Sequence, residues 1–388
     1  MSSDSHNFLP CPKGKVRLAF VISSLEFGGA ERDLSKQANF WAAEETEVCI
    51  FVFTTAQKPP AYPLDPRVQV YFLKDHFRHI PVVKLGDVLR RLFCTIALRR
   101  ALKKFKPNVI VSYVDIVNIT TLIVSKGLGI PVIVSERIDP AYHRLGFFHP
   151  LWDFIRLHTH RWASHVIVQT QDALRYFPKH FQERLMVIPN SVAKPSCAVI
   201  INPTIQHIVT IGRLCFQKDQ ETLLQAFSLI QKNHPTLQLT IYGEGPYRAH
   251  LEHMIHEKGL QNHVFLPGMV ANVQEVLLQV DLFVFPSRYE GFPNALCEAM
   301  AVGLPIIASN CSGNTTVVQD GVDGLLFPIG DVQTLTQKME FLIENFDERQ
   351  RLSQNARYLP ERFSENLNHR LWKKAITRAI RSASSEKC

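Results

Sequence analysis

The length, composition and charge of the chain limit the class of protein it can be. Its 388 residues, 46% of them hydrophobic, are enough for two domains that each bury a core. No apolar run is long enough to span a membrane, and the amino terminus lacks a basic segment followed by an apolar core, so neither a transmembrane anchor nor a secretory leader is predicted. The eight cysteines form no C-x-x-C pair, which indicates free thiols and a cytoplasmic protein.

Apolar strands alternate with amphipathic helices along the whole chain, which is typical of α/β domains with parallel sheets. The first strand is predicted at 16–22. The alternation breaks at 190–203, where prolines and polar residues interrupt it. We therefore predict an amino-terminal domain over 1–195, a carboxy-terminal domain over 204–364 and a final helix from about 365.

The net charge of +8 is concentrated in the amino-terminal half. A helix predicted at 85–106 carries apolar residues on one face and cations at its end: Leu85, Leu89, Leu92, Phe93 and Ile96, then Arg99, Arg100, Lys103, Lys104 and Lys106. A second segment, 143–162, mixes aromatic and basic residues: Phe147, Phe148, Trp152 and Phe154, with Arg144, Arg156 and Arg161. This combination favours an anionic membrane surface as a partner. Alternatively, the cations on the helix complement its dipole. Nucleic acid is not expected, because no binding module is recognisable.

The first strand of the second domain is predicted at 208–213 and ends in a glycine turn. Arg213 lies at its carboxyl end, and Lys218 opens the helical pattern that continues over 219–230. Open parallel sheets bind ligands beyond the carboxyl ends of their strands. We therefore expect the two cations to meet an anionic ligand such as a diphosphate. A structural alternative for Arg213 is helix capping or an ion pair with Asp219.

The segment 287–300 follows an apolar strand at 282–285 and places two carboxylates near a helix start. Pro293 fits the first helical turn, where its missing N–H costs nothing. The free amides of Asn294, Ala295 and Leu296 would then form an anion site, which Gly291 lets the backbone approach. Glu290 precedes this helix and Glu298 lies about one turn inside it, so both carboxylates are expected to flank one pocket. The alternative is that both are ordinary surface residues.

A metal site is not predicted. His250, His253 and His256 share one side of a predicted helix, but no cysteine or carboxylate cluster completes a tetrahedral set with them. No D-x-D sequence is present to hold a metal with a diphosphate. The turn at 243–248 lacks the third glycine of a dinucleotide fingerprint, so NAD is not expected either.

Together these motifs resemble a known family, the retaining glycosyltransferases of family 4, which use nucleotide-sugar donors. The resemblance spans most of the chain. It is carried by G-G-A-E-R at 28–32, V-I-P-N at 187–190, G-R-L-C-F-Q-K-D at 212–219, Y-G-E-G-P-Y-R at 242–248, the E-x7-E pair Glu290/Glu298 and D-G-V-D-G-L-L-F at 320–327. It implies the GT-B fold, in which two Rossmann-like domains face each other across a cleft, with the final helix returning to the first domain.

The resemblance also implies roles for individual residues. Arg213 and Lys218 would bind the donor diphosphate, Glu290 would contact the donor sugar and stabilise the transition state, and Glu298 would hold the ribose. The donor site would further include Gly28, Gly29, Gly243, Met269, Val270, Gly291, Phe292, Pro293, Asn294 and Leu296. For the glycines of the first loop, freedom at positive φ would suit close approach to the phosphates. The donor would be a UDP-sugar, with GDP-sugars as the alternative, and neither a protein nucleophile nor a metal cofactor is required.

The acceptor side departs from the usual family pattern. Many members carry a histidine near the fourth strand, whereas the segment 109–118 has none. The polar residues available are Asp115 and Asn118, followed by Glu136 and Arg137, and we assign these four to the acceptor site.

The predicted function is transfer of a hexose or N-acetylhexosamine, with retention, to a polysaccharide or lipid-linked acceptor in surface glycan synthesis at the inner face of the cytoplasmic membrane. Three alternatives remain open. A glycosidase also uses paired carboxylates, but it needs no cationic phosphate site. A phosphorylase-type enzyme shares the architecture but requires a cofactor lysine. A sugar-nucleotide sensor would keep Arg213 and Lys218 but would not need Glu290.

Overall fold

The structure is a computed structural model that describes residues 15–54, 59–74, 86–137, 149–270 and 272–385. The chain divides into two compact units. Unit 1 comprises the residues up to Ile188 together with those from His369 onward, and unit 2 comprises Pro189–Asn368. The four residues predicted to face a membrane at Leu85, Arg144, Phe147 and Phe148 lie outside the described residues.

The boundary between the units differs from the predicted one. The segment 190–203 was predicted to separate the domains, but its apolar residues pack in the core of unit 2. Val192 and Val199 are buried there, and their amides donate hydrogen bonds to the carbonyl oxygens of Phe363 and Val302, both at 2.8 Å. The prolines and polar residues of this segment therefore mark an extended stretch of unit 2 and not a free linker.

Unit 1 is built on a parallel sheet whose described strands run in the order β3-β2-β1-β4-β5-β6-β7. The strands are β1 Arg17–Ile22, β2 Glu47–Val52, β3 Gln69–Phe72, β4 Val109–Tyr113, β5 Val132–Ser135, β6 His165–Val168 and β7 Leu185–Val187. The central strands β1, β2 and β4 are buried almost throughout, as expected for a parallel sheet covered on both faces.

Helices cover both faces of this sheet. They are α1 Gly29–Ala43, α2 Gly86–Phe105, α3 Asp115–Ser125, α4 His149–His160 and α13 Glu365–Ser385. The apolar side chains of α2 and α3 pack in one core cluster, and those of α1 and α13 pack in another. Trp372 and Ala375 of α13 are buried in that second cluster, so the last helix completes unit 1.

Unit 2 repeats the architecture with a parallel sheet in the order β10-β9-β8-β11-β12-β13 over the described residues. Its strands are β8 His207–Ile211, β9 Gln238–Tyr242, β10 Val264–Gly268, β11 Leu282–Phe285, β12 Ile306–Ser309 and β13 Leu325–Phe327. Its helices are α5 Gln220–Ile230, α6 Arg248–Glu257, α7 Val273–Leu277, α8 Asn294–Val302, α9 Ser312–Val317, α10 Val332–Glu344, α11 Phe346–Ala356 and α12 Leu359–Arg362.

The strand orders confirm the prediction of two Rossmann-like α/β domains. In each unit the chain reverses its direction of winding between two neighbouring strands, β1 and β4 in unit 1 and β8 and β11 in unit 2. Connections diverge at such a switch point and leave a crevice at the carboxyl ends of the strands, where ligands bind. No helix within the described ranges combines the length and the apolar composition needed to cross a bilayer.

Candidate active site

An ion pair lies at the switch point of unit 2. Lys218 follows β8 and Glu290 follows β11, and the Lys218 Nζ lies 2.5 Å from the Glu290 Oε1. The side chains are only 19% and 7% exposed. Nζ also lies 4.7 Å from the centroid of the Phe285 ring, at the end of β11. The fold thus brings together two residues predicted to act at one site, although they are 72 positions apart.

Local contacts support the loop that carries Lys218. Phe216–Lys218 form a single 3-10 turn, and Asp219 takes a left-handed conformation with φ of 49° before α5 begins at Gln220. Lys218 therefore precedes the helix and does not open it as predicted. The Arg288 guanidinium binds the Asp219 carboxylate at 2.8 Å and lies 4.6 Å over the Phe216 ring. Arg288 is a residue that sequence reasoning missed.

Arg213 presents the other predicted cation at the end of β8. Its side chain is exposed, and no ion pair to it is found among the residues that the structure describes. The alternative pairing with Asp219 is wrong, because Asp219 binds Arg288. The backbone oxygen of Arg213 accepts a hydrogen bond of 3.0 Å from the Gln220 side chain. Arg213 is thus a cation available to an incoming anion.

Glycines allow backbone segments to approach each other around this ion pair. Gly243 has φ of +141°, and a Cβ there would lie 2.0 Å from the Gly212 carbonyl oxygen. A Cβ on Gly313, in α9, would lie 2.5 Å from the Glu290 Cβ. Gly313 is a second residue that sequence reasoning missed, and its signal is its position in the short helix that follows the next strand, β12. Any larger residue there must displace the backbone or side chain of Glu290.

The helix start after Glu290 differs in detail from the prediction. α8 begins at Asn294, and Pro293 is its N-cap and not its first helical residue. The Asn294 amide donates to the Phe292 carbonyl oxygen at 3.0 Å, so of the three amides predicted to face an anion, this one is engaged. The Asn294 side-chain oxygen accepts a hydrogen bond of 3.0 Å from Asn190, of the V-I-P-N motif.

The remaining donor-site residues of unit 2 fall into two groups by burial. Phe292, Pro293 and Leu296 are buried and support the start of α8, whereas Gly291 and Glu298 are half-buried. Met269 follows β10 with 56% of its surface exposed, and Val270 packs partly against the core. Met269 is thus open to a ligand, and Val270 also serves the fold.

The glycines of the first loop in unit 1 do not use positive φ. Gly28 is the N-cap of α1 with φ of −177°, an extended conformation open to any residue, and Gly29 is the first residue of the helix. A Cβ there would lie 2.1 Å from the Glu31 Oε2, the end of a flexible side chain that can move aside. The positive φ predicted for these glycines is therefore wrong, whereas their approach to the donor phosphates stays a prediction.

Of the four residues that we assigned to the acceptor site, the structure keeps three together and sets Arg137 apart. Asp115, Asn118 and Glu136 are buried at the carboxyl ends of β4 and β5. Arg137 instead forms a buried ion pair of 2.6 Å with Asp33, and its guanidinium lies 4.6 Å over the Tyr113 ring. The side chains of Glu136 and Arg137 point in opposite directions because adjacent residues of an extended chain alternate in direction.

Burial and neighbouring charges shift the pKa of Glu136 and the pKa of Tyr113 in opposite directions. Burial raises the pKa of Glu136, but the hydrogen bond and charge of His160 and the charge of Arg156 outweigh it and hold that pKa below its usual range. The His160 Nε2 lies 2.5 Å from the Glu136 Oε1. Burial, reinforced by the Asp33 carboxylate, raises the pKa of Tyr113 well above its ordinary value. His160 is a third residue missed by sequence reasoning.

Family models match both halves of the chain. Residues 27–193 match the model described as Glycosyltransferase Family 4, and residues 200–358 match the model described as Glycosyl transferases group 1. The chain belongs to glycosyltransferase family 4. The resemblance inferred from the motifs is thereby confirmed.

Two curated relatives resemble this family 4 glycosyltransferase over most of their length. The "GalNAc-alpha-(1->4)-GalNAc-alpha-(1->3)-diNAcBac-PP-undecaprenol alpha-1,4-N-acetyl-D-galactosaminyltransferase" of Campylobacter jejuni is 27% identical, over 93% of this chain and 98% of the relative. The "UDP-Gal:alpha-D-GlcNAc-diphosphoundecaprenol alpha-1,3-galactosyltransferase" of Escherichia coli is 25% identical, over 82% of this chain and 86% of the relative.

A solved structure shares the fold of this glycosyltransferase. A mutant of TarM from S. aureus, in complex with fondaparinux, alpha-GlcNAc-glycerol and UDP, superimposes with a TM-score of 0.79 over 93% of this chain and 99% of that one, at 14% sequence identity. The architecture is thus that of the GT-B glycosyltransferases, as the resemblance implied.

Proposed function

We propose that the protein transfers a hexose or N-acetylhexosamine from a UDP-sugar to a lipid-linked or polysaccharide acceptor, with retention of anomeric configuration and without a metal cofactor. The observation that carries this proposal is the Lys218–Glu290 pair at the switch point of unit 2, beside the exposed cation of Arg213. A diphosphate needs cations, and a sugar that loses its leaving group needs a nearby carboxylate. The site offers both.

The charges of the site suit a diphosphate that enters from solvent. In the ligand-free protein Glu290 neutralises Lys218, so Arg213 supplies the net positive charge that attracts the donor. The start of α8 adds the amides of a helix terminus, which favour an anion. When the diphosphate binds, Lys218 gains a second anionic partner. Glu290 can then turn from a counter-ion of Lys218 into a group that faces the sugar.

The proposed reaction exchanges one bond at the anomeric carbon. The bond from that carbon to the diphosphate oxygen breaks, and a bond to the acceptor oxygen forms on the same face. The acceptor proton passes to the leaving phosphate, so no protein base is consumed. The Glu290 carboxylate stabilises the positive charge that develops on the sugar ring, while Arg213 and Lys218 stabilise the negative charge on the leaving diphosphate.

The nature of donor and acceptor is supported by the relatives. Both relatives are named for glycans linked to undecaprenol by a diphosphate, and the E. coli enzyme is named for UDP-Gal. The TarM structure contains UDP. We therefore propose a UDP-sugar as donor and a polyprenol-linked glycan as acceptor.

A nucleotide titration tests the donor site. We expect UDP to bind in preference to GDP, ADP and dTDP, and we expect Lys218→Ala to weaken UDP binding about tenfold or more, because a charge-assisted contact to phosphate is lost. Isothermal calorimetry measures both affinities. Lys258→Ala, which removes an exposed lysine of unit 2, is the matched control and is expected to bind as the wild type does.

The lysine variant needs a folding control, because removing Lys218 leaves the Glu290 carboxylate buried without its partner. The double variant Lys218→Met/Glu290→Gln removes both charges and is expected to fold and still to bind UDP weakly. Failure of every nucleotide to bind the folded wild-type protein would contradict the proposed donor site.

We further propose that unit 1 attaches to the inner face of the cytoplasmic membrane through the outer face of its helices α2, α3 and α4. We call this the outer apolar surface. Each helix exposes apolar residues at helical spacing: Leu92 and Ile96 on α2, Ile116 and Ile123 on α3, and Leu151, Phe154 and Ile155 on α4. Phe154 is 66% exposed. Apolar patches of this kind on a monomer mark interaction sites.

Cations lie at or just beyond the carboxyl ends of the helices that form the outer apolar surface. Arg100, Lys103 and Arg161 are exposed there, and the Lys126 Nζ lies 4.1 Å over the ring of Trp162. Two cations predicted to contribute do not. Arg156 is 1% exposed and lies over the Phe177 ring, and Arg99 donates hydrogen bonds to the carbonyl oxygens of Val124 and Lys126. Apolar stripes flanked by cations match an anionic lipid interface.

Liposome flotation tests the membrane proposal. The wild type is expected to float with phosphatidylglycerol vesicles more than with phosphatidylcholine vesicles, and less so at high salt. Leu151→Ser/Phe154→Ser is expected to lose at least about tenfold in partitioning, because the burial of each side chain contributes roughly 1.5–3 kcal/mol. Phe341→Ser, an exposed position in unit 2, is the control. Equal flotation with both lipids would contradict attachment.

A further inference from the structure

A buried polar cluster lies at the carboxyl ends of β4 and β5 in unit 1. Asp115, Glu136 and His160 are 3%, 3% and 0% exposed, and Arg156 is 1% exposed. His160 ends helix α4, whereas Asp115 begins α3 and Glu136 follows β5. Three separate elements therefore deliver ionisable groups to one small region next to the switch point of the sheet.

The members of the cluster form a chain of contacts. The His160 Nε2 and the Glu136 Oε1 lie 2.5 Å apart in a hydrogen bond, and the Asp115 carboxyl group lies close enough to Glu136 to lower the pKa of Glu136. Glu136 thus connects His160 at one end to Asp115 at the other.

The backbone before Asp115 is strained and held in place. Val114 has φ of 72° and ψ of 140°, a conformation that is a genuine outlier for a β-branched residue. Three hydrogen bonds fix it: the Val114 amide to the Ser135 oxygen at 3.2 Å, the Asn118 amide to the Val114 oxygen at 2.8 Å, and the Asn118 side chain to the Ser135 oxygen at 3.1 Å. Strain of this kind concentrates at functional sites.

Several polar atoms of the cluster and of the neighbouring Asn118 have unused hydrogen-bonding capacity. Within the described residues, no hydrogen-bond partner is found for the Asn118 Oδ1, the Glu136 Oε2, the His160 Nδ1 or the Arg156 Nη1. Each buried polar atom left in that state costs stability. Replacement of buried ionic groups by well-packed apolar residues is often neutral or stabilising, so the fold alone gives little reason to keep this cluster. Its position at the ligand-binding edge of the sheet offers a functional reason instead.

We propose that His160 and Glu136 are positioning residues of the transfer reaction, which hold the carboxyl group of Asp115 where the acceptor hydroxyl is received. This inference rests on the proposed function, gives Glu136 a definite role in it and adds His160 to the residues of the acceptor side. Asp115 lies at the switch point of unit 1, directly after the strained Val114, so its backbone is fixed. The contact with Glu136 fixes its side chain, and His160 in turn fixes Glu136.

A double-mutant cycle tests this proposal. Turnover is measured as UDP released from a UDP-sugar in the presence of GlcNAc linked by diphosphate to a polyprenol, and UDP affinity is measured by calorimetry. His160→Gln and Glu136→Gln are each expected to lower kcat about tenfold or more, while the Kd for UDP, which binds in unit 2, changes less than twofold. His158→Gln, an exposed histidine of the same helix, is the matched control and is expected to leave both quantities unchanged.

The decisive comparison uses Asp115→Asn. If His160 acts through Asp115, adding His160→Gln to Asp115→Asn is expected to reduce kcat no further, because the coupled groups work as one. Independent losses that multiply, or a His160→Gln variant with kcat within twofold of the wild type, would overturn the proposal. Glu136→Gln preserves size and covers the case in which a His160 variant fails to fold. A wild-type protein that neither binds UDP nor releases it from any UDP-sugar would overturn the proposed function as well.

Discussion

Replacing Glu290 with glutamine is expected to lower turnover about 100- to 1,000-fold while UDP affinity stays within about threefold of the wild type. Electrostatic groups aimed at the charge of a transition state contribute on that scale. Glutamine keeps the size and hydrogen-bonding capacity of Glu290 but removes the negative charge. Lys218, which lies 2.5 Å from that carboxylate, would lose a competitor for the diphosphate. Release of UDP from the donor measures turnover, and calorimetry measures affinity.

The control for this variant is Glu244→Gln. Glu244 is an exposed carboxylate of unit 2 that pairs with Arg248 at 2.7 Å, and its replacement is expected to leave turnover unchanged. A Glu290→Gln enzyme that works within threefold of the wild-type rate would show that the charge of Glu290 does not act on the transition state. A wild-type protein that binds UDP without turnover would instead favour the sugar-nucleotide sensor.

Loss of Arg137 is expected to produce the largest change in stability. The Asp33 carboxylate is only 4% exposed. In Arg137→Leu it stays buried without its ion-pair partner, and of the two hydrogen bonds described here it keeps the one from the Tyr113 hydroxyl, at 3.1 Å. Breaking a buried pair by removing one partner costs about 3–5 kcal/mol. Stacking over Tyr113 is lost as well. For a unit of this size we expect the melting temperature to fall by about 6 to 20 °C.

Tryptophan fluorescence can follow this transition in unit 1 alone. All four tryptophans, Trp41, Trp152, Trp162 and Trp372, belong to unit 1, so their signal does not report on unit 2. Arg67→Leu, which removes an exposed partner of Asp65 on the same unit, is the matched control and is expected to cause no measurable change. The double variant Asp33→Leu/Arg137→Leu should recover part of the loss. A melting temperature within 2 °C of the wild type for Arg137→Leu would refute the structural role.

The sequence predicted elements better than it predicted partners. The strand at 282–285 is where it was expected, because four consecutive apolar residues bounded by polar ones indicate a buried parallel strand. The helix after it begins one residue later than expected, at Asn294, because Pro293 takes a ψ of 74° that a helix does not allow. Errors of one residue are common at helix ends, because the backbone conformation of the cap residue, and not the apolar pattern, decides where the helix begins.

The sequence pattern did not predict contacts between residues that are far apart in the chain. Lys218 and Glu290 were both assigned to one site, but nothing in the spacing shows that they bind each other across 72 positions. Arg137 was assigned to the acceptor site as one of the polar residues available there, yet it pairs with Asp33, 104 positions away. The alternation of an extended chain predicts that the side chains of Glu136 and Arg137 point in opposite directions. It does not predict that His160 lies in one direction and Asp33 in the other.

The return of α13 to unit 1 has a consequence for biosynthesis. A ribosome delivers the chain from its amino terminus, and Pro189–Asn368 of unit 2 is one uninterrupted segment. Unit 1 is split, because Trp372, Ala375, Ile376 and Ala379 close a core whose other members were made before residue 189. Unit 2 can therefore complete its fold while the amino-terminal part of unit 1 still exposes the apolar side chains of α1 and β1. The half of the protein that is synthesised first is expected to be the last to mature, and a nascent chain stalled before residue 369 would be vulnerable to proteases in that half.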